Sequence, residues 1–284
     1  MSDAKWNLVV DVAECINCQL CTLATQDEHV GNVWPGYAEE MPKHGRRWIE
    51  IDKKERGAAP HLDVAYLPRL CQHCDDAPCI KAAKDGAIAK RADGILLIDP
   101  VKAKGQKQLV DACPYGAITW NEEKQVPQAW FFDAHLLDAG WTEPRCVSVC
   151  ATGALKAVKT DDATMARQVE SEGLEQLRPA LNTKPRVHYR NLWRFTRAFV
   201  AGSVCAEGAD GKVDCVEGAQ VRLEKDGAAL AETTTDAFGD FKFDRLEPDG
   251  SIYAVAVESD GHAPQRHEVT LTESVSLGEI RLAQ

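Results

Sequence analysis

Cys15-Ile16-Asn17-Cys18-Gln19-Leu20-Cys21 is the stretch that decides how this chain folds and what it carries. Three cysteines at two-residue intervals make one compact triplet. A second, Cys71-x2-Cys74-x4-Cys79, has Pro78 turning its longer gap; Cys113, before Pro114, and the pair Cys146-x3-Cys150 follow. A cubane iron–sulfur cluster needs four thiolates, one per iron, and the bacterial pattern takes three from a compact loop and the fourth from a remote Cys-Pro in the other half of the fold. Cys113 and Cys150 are the natural fourth ligands, which completes two sets of four. Spacing alone leaves open which of them joins which triplet. Structural zinc is the competing chemistry, since Cys-x2-Cys pairs are also zinc knuckles. Zinc, however, takes two ligands from each of two knuckles, whereas three plus one is the cluster habit. A radical-generating loop would need Cys-x3-Cys-x2-Cys, a spacing neither triplet has.

The chain has 284 residues, which favours two ordinary domains over one. It has 11 cysteines, an odd count that a pure disulfide framework would not leave. The start, Met1-Ser2-Asp3-Ala4-Lys5-Trp6, shows no basic region followed by an apolar stretch. A cytoplasmic location is therefore expected, with export beside a signal-bearing partner left open. In such a chain, cysteines at ligand spacing point to a metal site before disulfides. Cys205 and Cys215, on either side of the Gly208–Gly211 turn, are accordingly expected to stay reduced. The longest charge-free run, Cys15 to Gln26, contains Asn, Gln and Thr, so no membrane-spanning segment is expected. The net charge of −11 sits mostly in residues 197–284, with 17 acidic against 8 basic side chains. Nucleic-acid phosphates would be repelled by that balance.

Three segments share a pattern: Asp85-Gly86-Ala87-Ile88, Tyr115-Gly116-Ala117-Ile118 and Thr152-Gly153-Ala154-Leu155. Cys113 and Cys150 each precede the glycine by three residues, and the same offset in the first segment points to Ala83, a vacated ligand position. Ala87-Ile88-Ala89 and Ile95-Leu96-Leu97-Ile98 flank Asp93-Gly94 and predict a hairpin. A helix is predicted from a cap at Asp161 or Asp162, through Met165 and Val169, to a stop at Gly173. From Arg197 the apolar period becomes two, in Ala219-Val221-Leu223, Phe241-Phe243, Tyr253-Val255-Val257, Val269-Leu271 and Ile280-Leu282. The expected architecture is α+β: a ferredoxin-like dicluster module (1–160), a helical linker (161–196) and a small antiparallel β-barrel or sandwich of about seven strands (197–284).

At these residues the chain resembles the iron–sulfur small subunits of the dimethyl sulfoxide reductase family of molybdopterin enzymes, and within it the transhydroxylase branch. The resemblance runs over almost the whole sequence, through Trp34-Pro35-Gly36-Tyr37, Glu55-Arg56-Gly57, Ala77-Pro78-Cys79, Cys113-Pro114-Tyr115-Gly116, Trp120-Asn121-Glu122-Glu123 and Lys184-Pro185-Arg186-Val187. It implies nested ligation: one [4Fe–4S] cluster on Cys15, Cys18, Cys21 and Cys150, the other on Cys71, Cys74, Cys79 and Cys113, with the swapped assignment of Cys113 and Cys150 as the alternative. Its three-cluster members would place a third set at Thr25, Trp130, Asp133 and Cys146, where this chain keeps only Cys146. Cys146 is then an orphan thiol, and Trp130-Phe131-Phe132 reads either as apolar filling of emptied space or as an ordinary core segment.

No nucleophile motif, phosphate loop or open metal site supplies a catalytic constellation. By resemblance, catalysis belongs to a larger molybdenum- and pterin-bearing partner acting on a polyhydroxylated benzene such as pyrogallol. This chain would serve it as an electron-transfer or structural subunit. The alternatives are an electron-transfer subunit of another molybdopterin oxidoreductase, such as a resorcinol-hydroxylase-like enzyme, clusters that act mainly as folding staples, and a free ferredoxin. His73, inside the second triplet, reads as a packed or solvated histidine before a donor to cluster sulfur.

Overall fold

A computed structural model of the chain describes residues 4–208 and 211–283. The expectations for Met1, Ser2 and Asp3, and for the middle of the Gly208–Gly211 turn, lie outside the described residues. The fold divides into two compact units: residues up to Asp52 with Tyr66–Leu192, and Lys53–Ala65 with Trp193 onward.

In the first unit the strand Lys5–Asp11 is buried along nearly its whole length because it lies between two others. Leu155–Thr160 pairs with it antiparallel, from Lys5↔Thr160 to Val10↔Leu155, and Val187–Arg190 pairs with it in parallel, from Leu8↔Val187. The predicted helix spans Asp162–Glu172: the Asp161 side chain accepts from the Thr164 N–H at 2.9 Å, and Gly173 ends it at φ +60°. Its Met165 and Val169 pack on Val9 with Leu174. The stretch read as a linker is therefore built into this unit as far as Leu192. The reason is physical: Val187, Tyr189 and their neighbours complete a sheet and are buried by it.

The predicted hairpin forms from Ile88–Lys90 and Leu96–Ile98, with Ile88↔Ile98 in register, and a second joins Thr119–Asn121 to Val126–Gln128. The repeat is also a backbone repeat. Gly86, Gly116 and Gly153 have φ of +65°, +62° and +68°, a left-handed turn that glycine makes without a Cβ penalty, and each leads into a strand.

The second unit holds two open four-stranded sheets that share one core, so the barrel expectation is corrected. One sheet is centred on Ala198–Glu207, with Val213–Cys215 and Asp240–Leu246 antiparallel to it. The wholly antiparallel expectation is corrected too: Val275–Leu282 runs parallel to Ala198–Glu207, from Val200↔Val275 to Ala206↔Leu282. A strand returning by a crossover, unlike a hairpin partner, can lie parallel to its neighbour. The other sheet has the order Ala228–Thr234, Gln220–Lys225, Ile252–Glu258, Gln265–Thr270. The alternating residues behave as their period requires: Val221, Leu223, Phe241, Phe243, Val255, Val257 and Ile280 all enter the shared core.

Candidate metal centres

The loop of the first triplet folds back on itself because Asn17 and Gln19 both take left-handed conformations, at φ +58° and +63°. Asparagine and glutamine at such positions turn a chain tightly enough to bring alternate side chains to one side. Cys21 falls in the first turn of the helix Leu20–His29, where the helix dipole favours a thiolate. Cys150 arrives from the far end of the module. Cys15, Cys18, Cys21 and Cys150 line a single small cavity walled by Ile16, Ile51, Pro68, Ala154 and Leu155. Burial raises the Cys15 thiol, the Asn17 amide N–H opposes the rise, and Cys150 and Cys18 add repulsion. Cys21 is pushed up to about 11 by burial, against hydrogen bonds from Thr22, with Cys15 and Cys150 repelling it further. Crowded thiols with these properties hold their protons until cations are placed among them, and iron is such a cation.

The second triplet is deeper. Cys71, Cys74 and Cys79 belong to a buried cluster with Ala87, Ile88, Leu96, Leu109, Tyr115, Ala117 and Ile118, and Cys113 packs against it. Pro78 opens the short helix Pro78–Ala82 and sets Cys79 on its first turn. Burial drives Cys71 well up, and Cys113 is the strongest of the thiols repelling it. Cys79 is pushed up to about 12, again by burial first and Cys113 second. The Ala117 N–H points at Cys113 Sγ at 3.4 Å. Ala83, the vacated repeat position, packs against the same cluster.

The eight cysteines thus form two groups of four, with Cys150 beside the first triplet and Cys113 beside the second. Among the described residues no three Cys, His, Asp or Glu side chains converge on a single ion. A cubane does not require that convergence, because each of its four thiolates stands on a different iron. The residues fit such a group: four thiols ring an apolar void at one site, and at the other Cys71, Cys74 and Cys79 are buried in a core against which the half-buried Cys113 packs.

His73 is a packed histidine. The Leu96 N–H donates to its Nδ1 at 3.0 Å, which places its ring proton on Nε2. The ring lies edge-on to Trp130 and Phe132, and burial lowers it to about 3, so it is neutral. What reaches Cys71 is the backbone N–H of His73, not the imidazole. Spacing gave no sign of Thr183 beside Cys74, where it lowers that thiol while its hydroxyl bonds to the Tyr115 hydroxyl at 2.6 Å; Thr22, next to Cys21, donates its hydroxyl to the Ile49 carbonyl at 3.0 Å.

The positions of the absent third set are all buried. Thr25 Oγ1 donates to the Cys21 carbonyl at 2.9 Å. Trp130 lies tilted against Phe132 with ring centres 4.8 Å apart, and Phe131 packs on His29, Trp48 and His135. Asp133 Oδ2 accepts from the Arg145 N–H at 2.9 Å. Burial raises the Cys146 thiol well above its ordinary value, and Asp133 beside it adds to the rise.

Residues 62–160 match the family described as the 4Fe-4S dicluster domain, and residues 201–282 match the carboxypeptidase regulatory-like domain. The pyrogallol hydroxytransferase small subunit of Pelobacter acidigallici is 44% identical over 281 residues, covering 98% of this chain and 99% of that protein. The chain belongs to the iron–sulfur small subunits of the dimethyl sulfoxide reductase family. Two further relatives match about two thirds of this chain. A tetrathionate reductase subunit of Salmonella typhimurium is 31% identical over 66% of this chain and 73% of its own length. The arsenate respiratory reductase iron–sulfur subunit of a Shewanella species is 26% identical, over 65% of this chain and 95% of its own. Among the described residues, no helix is long and apolar enough to cross a membrane.

Proposed function

We propose that this small subunit holds two [4Fe–4S] clusters, on Cys15, Cys18, Cys21 and Cys150 and on Cys71, Cys74, Cys79 and Cys113, within a molybdopterin enzyme that acts on polyhydroxylated aromatics. The larger partner carries the molybdenum, the pterin and the catalysis, and the complex resides in the cytoplasm. When bound, a [4Fe–4S] cluster supplies one-electron storage at a potential set by burial and by hydrogen bonds to its sulfurs. The chain's own part is to hold the thiols, to bury Cys71, Cys74 and Cys79 away from water and to aim the N–H groups of Asn17, His73 and Ala117 at sulfur. The supporting observation is the gathering of Cys15, Cys18, Cys21 and Cys150 around one void, in a chain that matches the hydroxytransferase small subunit from end to end.

Iron analysis of anaerobically purified protein should approach eight per chain, each set of four thiolates holding four irons. Twelve would mean a third cluster, and zinc in place of iron would end the reading. The isolated chain should not turn over pyrogallol, whereas the complex with its large subunit should; turnover by the chain alone would overturn the subunit assignment.

A further inference from the structure

We propose that Cys205 and Cys215 form a reversible dithiol–disulfide site, closed by exchange with a low-molecular-weight disulfide and independent of the cluster thiols. The two residues stand directly opposite each other where Ala198–Glu207 pairs antiparallel with Val213–Cys215. Flanking hydrogen bonds fix the kind of pair. The Val216 N–H donates to the Val204 carbonyl at 3.0 Å, and the Gly208 N–H donates to the Lys212 carbonyl at 2.8 Å. Hydrogen-bonded and open pairs alternate along an antiparallel ladder, so Cys205 and Cys215 occupy an open pair. Cα atoms in such a pair lie about 4.5 Å apart, inside the roughly 4.4–6.8 Å that a disulfide spans. Opposed residues also share a face. Val204 and Ala206 pack into the core of this unit, so both cysteine side chains leave its other face, where the reduced Cys205 thiol donates to the Ile280 carbonyl at 3.8 Å.

The pair is asymmetric in a way that orders the chemistry. Cys205 is 6% exposed, whereas Cys215 is open to solvent. Burial raises the Cys205 thiol, which leaves the exposed Cys215 as the entering nucleophile. The Cys215 thiolate attacks one sulfur of R–S–S–R and expels one RS⁻. Cys205 then loses its proton and attacks Cys215 Sγ, breaking the mixed disulfide and expelling the second RS⁻. One disulfide is reduced to two thiols, two cysteine thiols are oxidised to one disulfide, and their two protons pass to the leaving thiolates. Gly239 keeps the neighbourhood open: a Cβ there would come within 3.4 Å of Cys215 Cβ and collide with the Val204 carbonyl at 2.3 Å.

Cluster-loaded full-length chain, incubated anaerobically with oxidised glutathione, then denatured, alkylated and digested, tests this. The expected result is joint loss of alkylation at both residues and a cross-linked peptide pair, with iron content and visible absorbance unchanged. Cys205→Ser should trap glutathione on Cys215, and Cys215→Ser, at an exposed position that tolerates it, should leave Cys205 unmodified. Wild-type protein carrying only glutathione on Cys215 would overturn the proposal. So would Cys205 joined to another cysteine, iron lost as the link forms, or both thiols still fully alkylated after oxidant.

Discussion

His29 Nε2 lies 3.4 Å from Asp133 Oδ1, and neither side chain reaches water. Asp133 also receives the Arg145 N–H, while His29 Nδ1 has no partner among the described residues. Removing the carboxylate would strand two buried donors, and each orphaned group costs about 1–3 kcal/mol. Asp133→Ala should therefore lower stability by roughly 3 kcal/mol, read from the urea midpoint of the cluster-loaded protein. Asp133→Asn, which keeps one of the two acceptors, should lose about half as much. Equal losses would show that the side chain's volume matters and its hydrogen bonds do not.

Cys146 lies beside this carboxylate, fully buried and carrying its proton. As an orphan thiol it behaves as a small hydrophobe. Cys146→Ala should leave iron content and visible absorbance unchanged and cost on the order of 1 kcal/mol. Loss of four irons in this variant would make Cys146 a ligand and would break the assignment of the remote cysteines.

Much of this was legible where the signal is local. The Asp93-Gly94 hairpin, the Asp161 cap and Gly173 stop, and the alternating Val221-Leu223 and Val255-Val257 strands need only nearby residues, and all formed. Lys5–Asp11 escaped because a strand buried on both faces does not alternate, and its parallel partner Val187–Arg190 lies far along the chain. Ala228–Thr234 is almost wholly exposed and carries no apolar period to read. Cysteine spacing named the eight thiols but left Cys113 and Cys150 unassigned, since chain order does not say which loop a remote residue returns to. The approach of Thr183 to Cys74 was illegible for the same reason.

His188 gives the module a pH dependence that does not involve the thiols. It is 7% exposed, and burial, with Arg186 adding repulsion, lowers it to about 4 from an ordinary 6.5. The unfolded chain therefore binds a proton between pH 6.5 and 4 that the folded chain refuses. Stability from this group is complete above pH 6.5 and falls by about 1.4 kcal/mol per unit as pH drops through that window. His188→Gln should flatten the urea-midpoint profile between pH 6.5 and 4 relative to the wild type. Parallel profiles would mean that the imidazole titrates normally in the folded protein.

Cys15 and Cys150 lie at one cavity although most of the module separates them in sequence. If both serve one cluster, replacing both removes that cluster alone. Cys15→Ala with Cys150→Ala should then keep about four irons per chain and a residual iron–sulfur absorbance. Under the swapped assignment the same double variant disables one ligand of each cluster and should hold almost no intact cubane. Cys71→Ala with Cys113→Ala is the mirror experiment and should also retain about four irons. The mixed double variant, Cys15→Ala with Cys113→Ala, should lose both clusters. A mixed variant that kept four irons while the matched pairs lost everything would reverse the assignment of the two remote ligands.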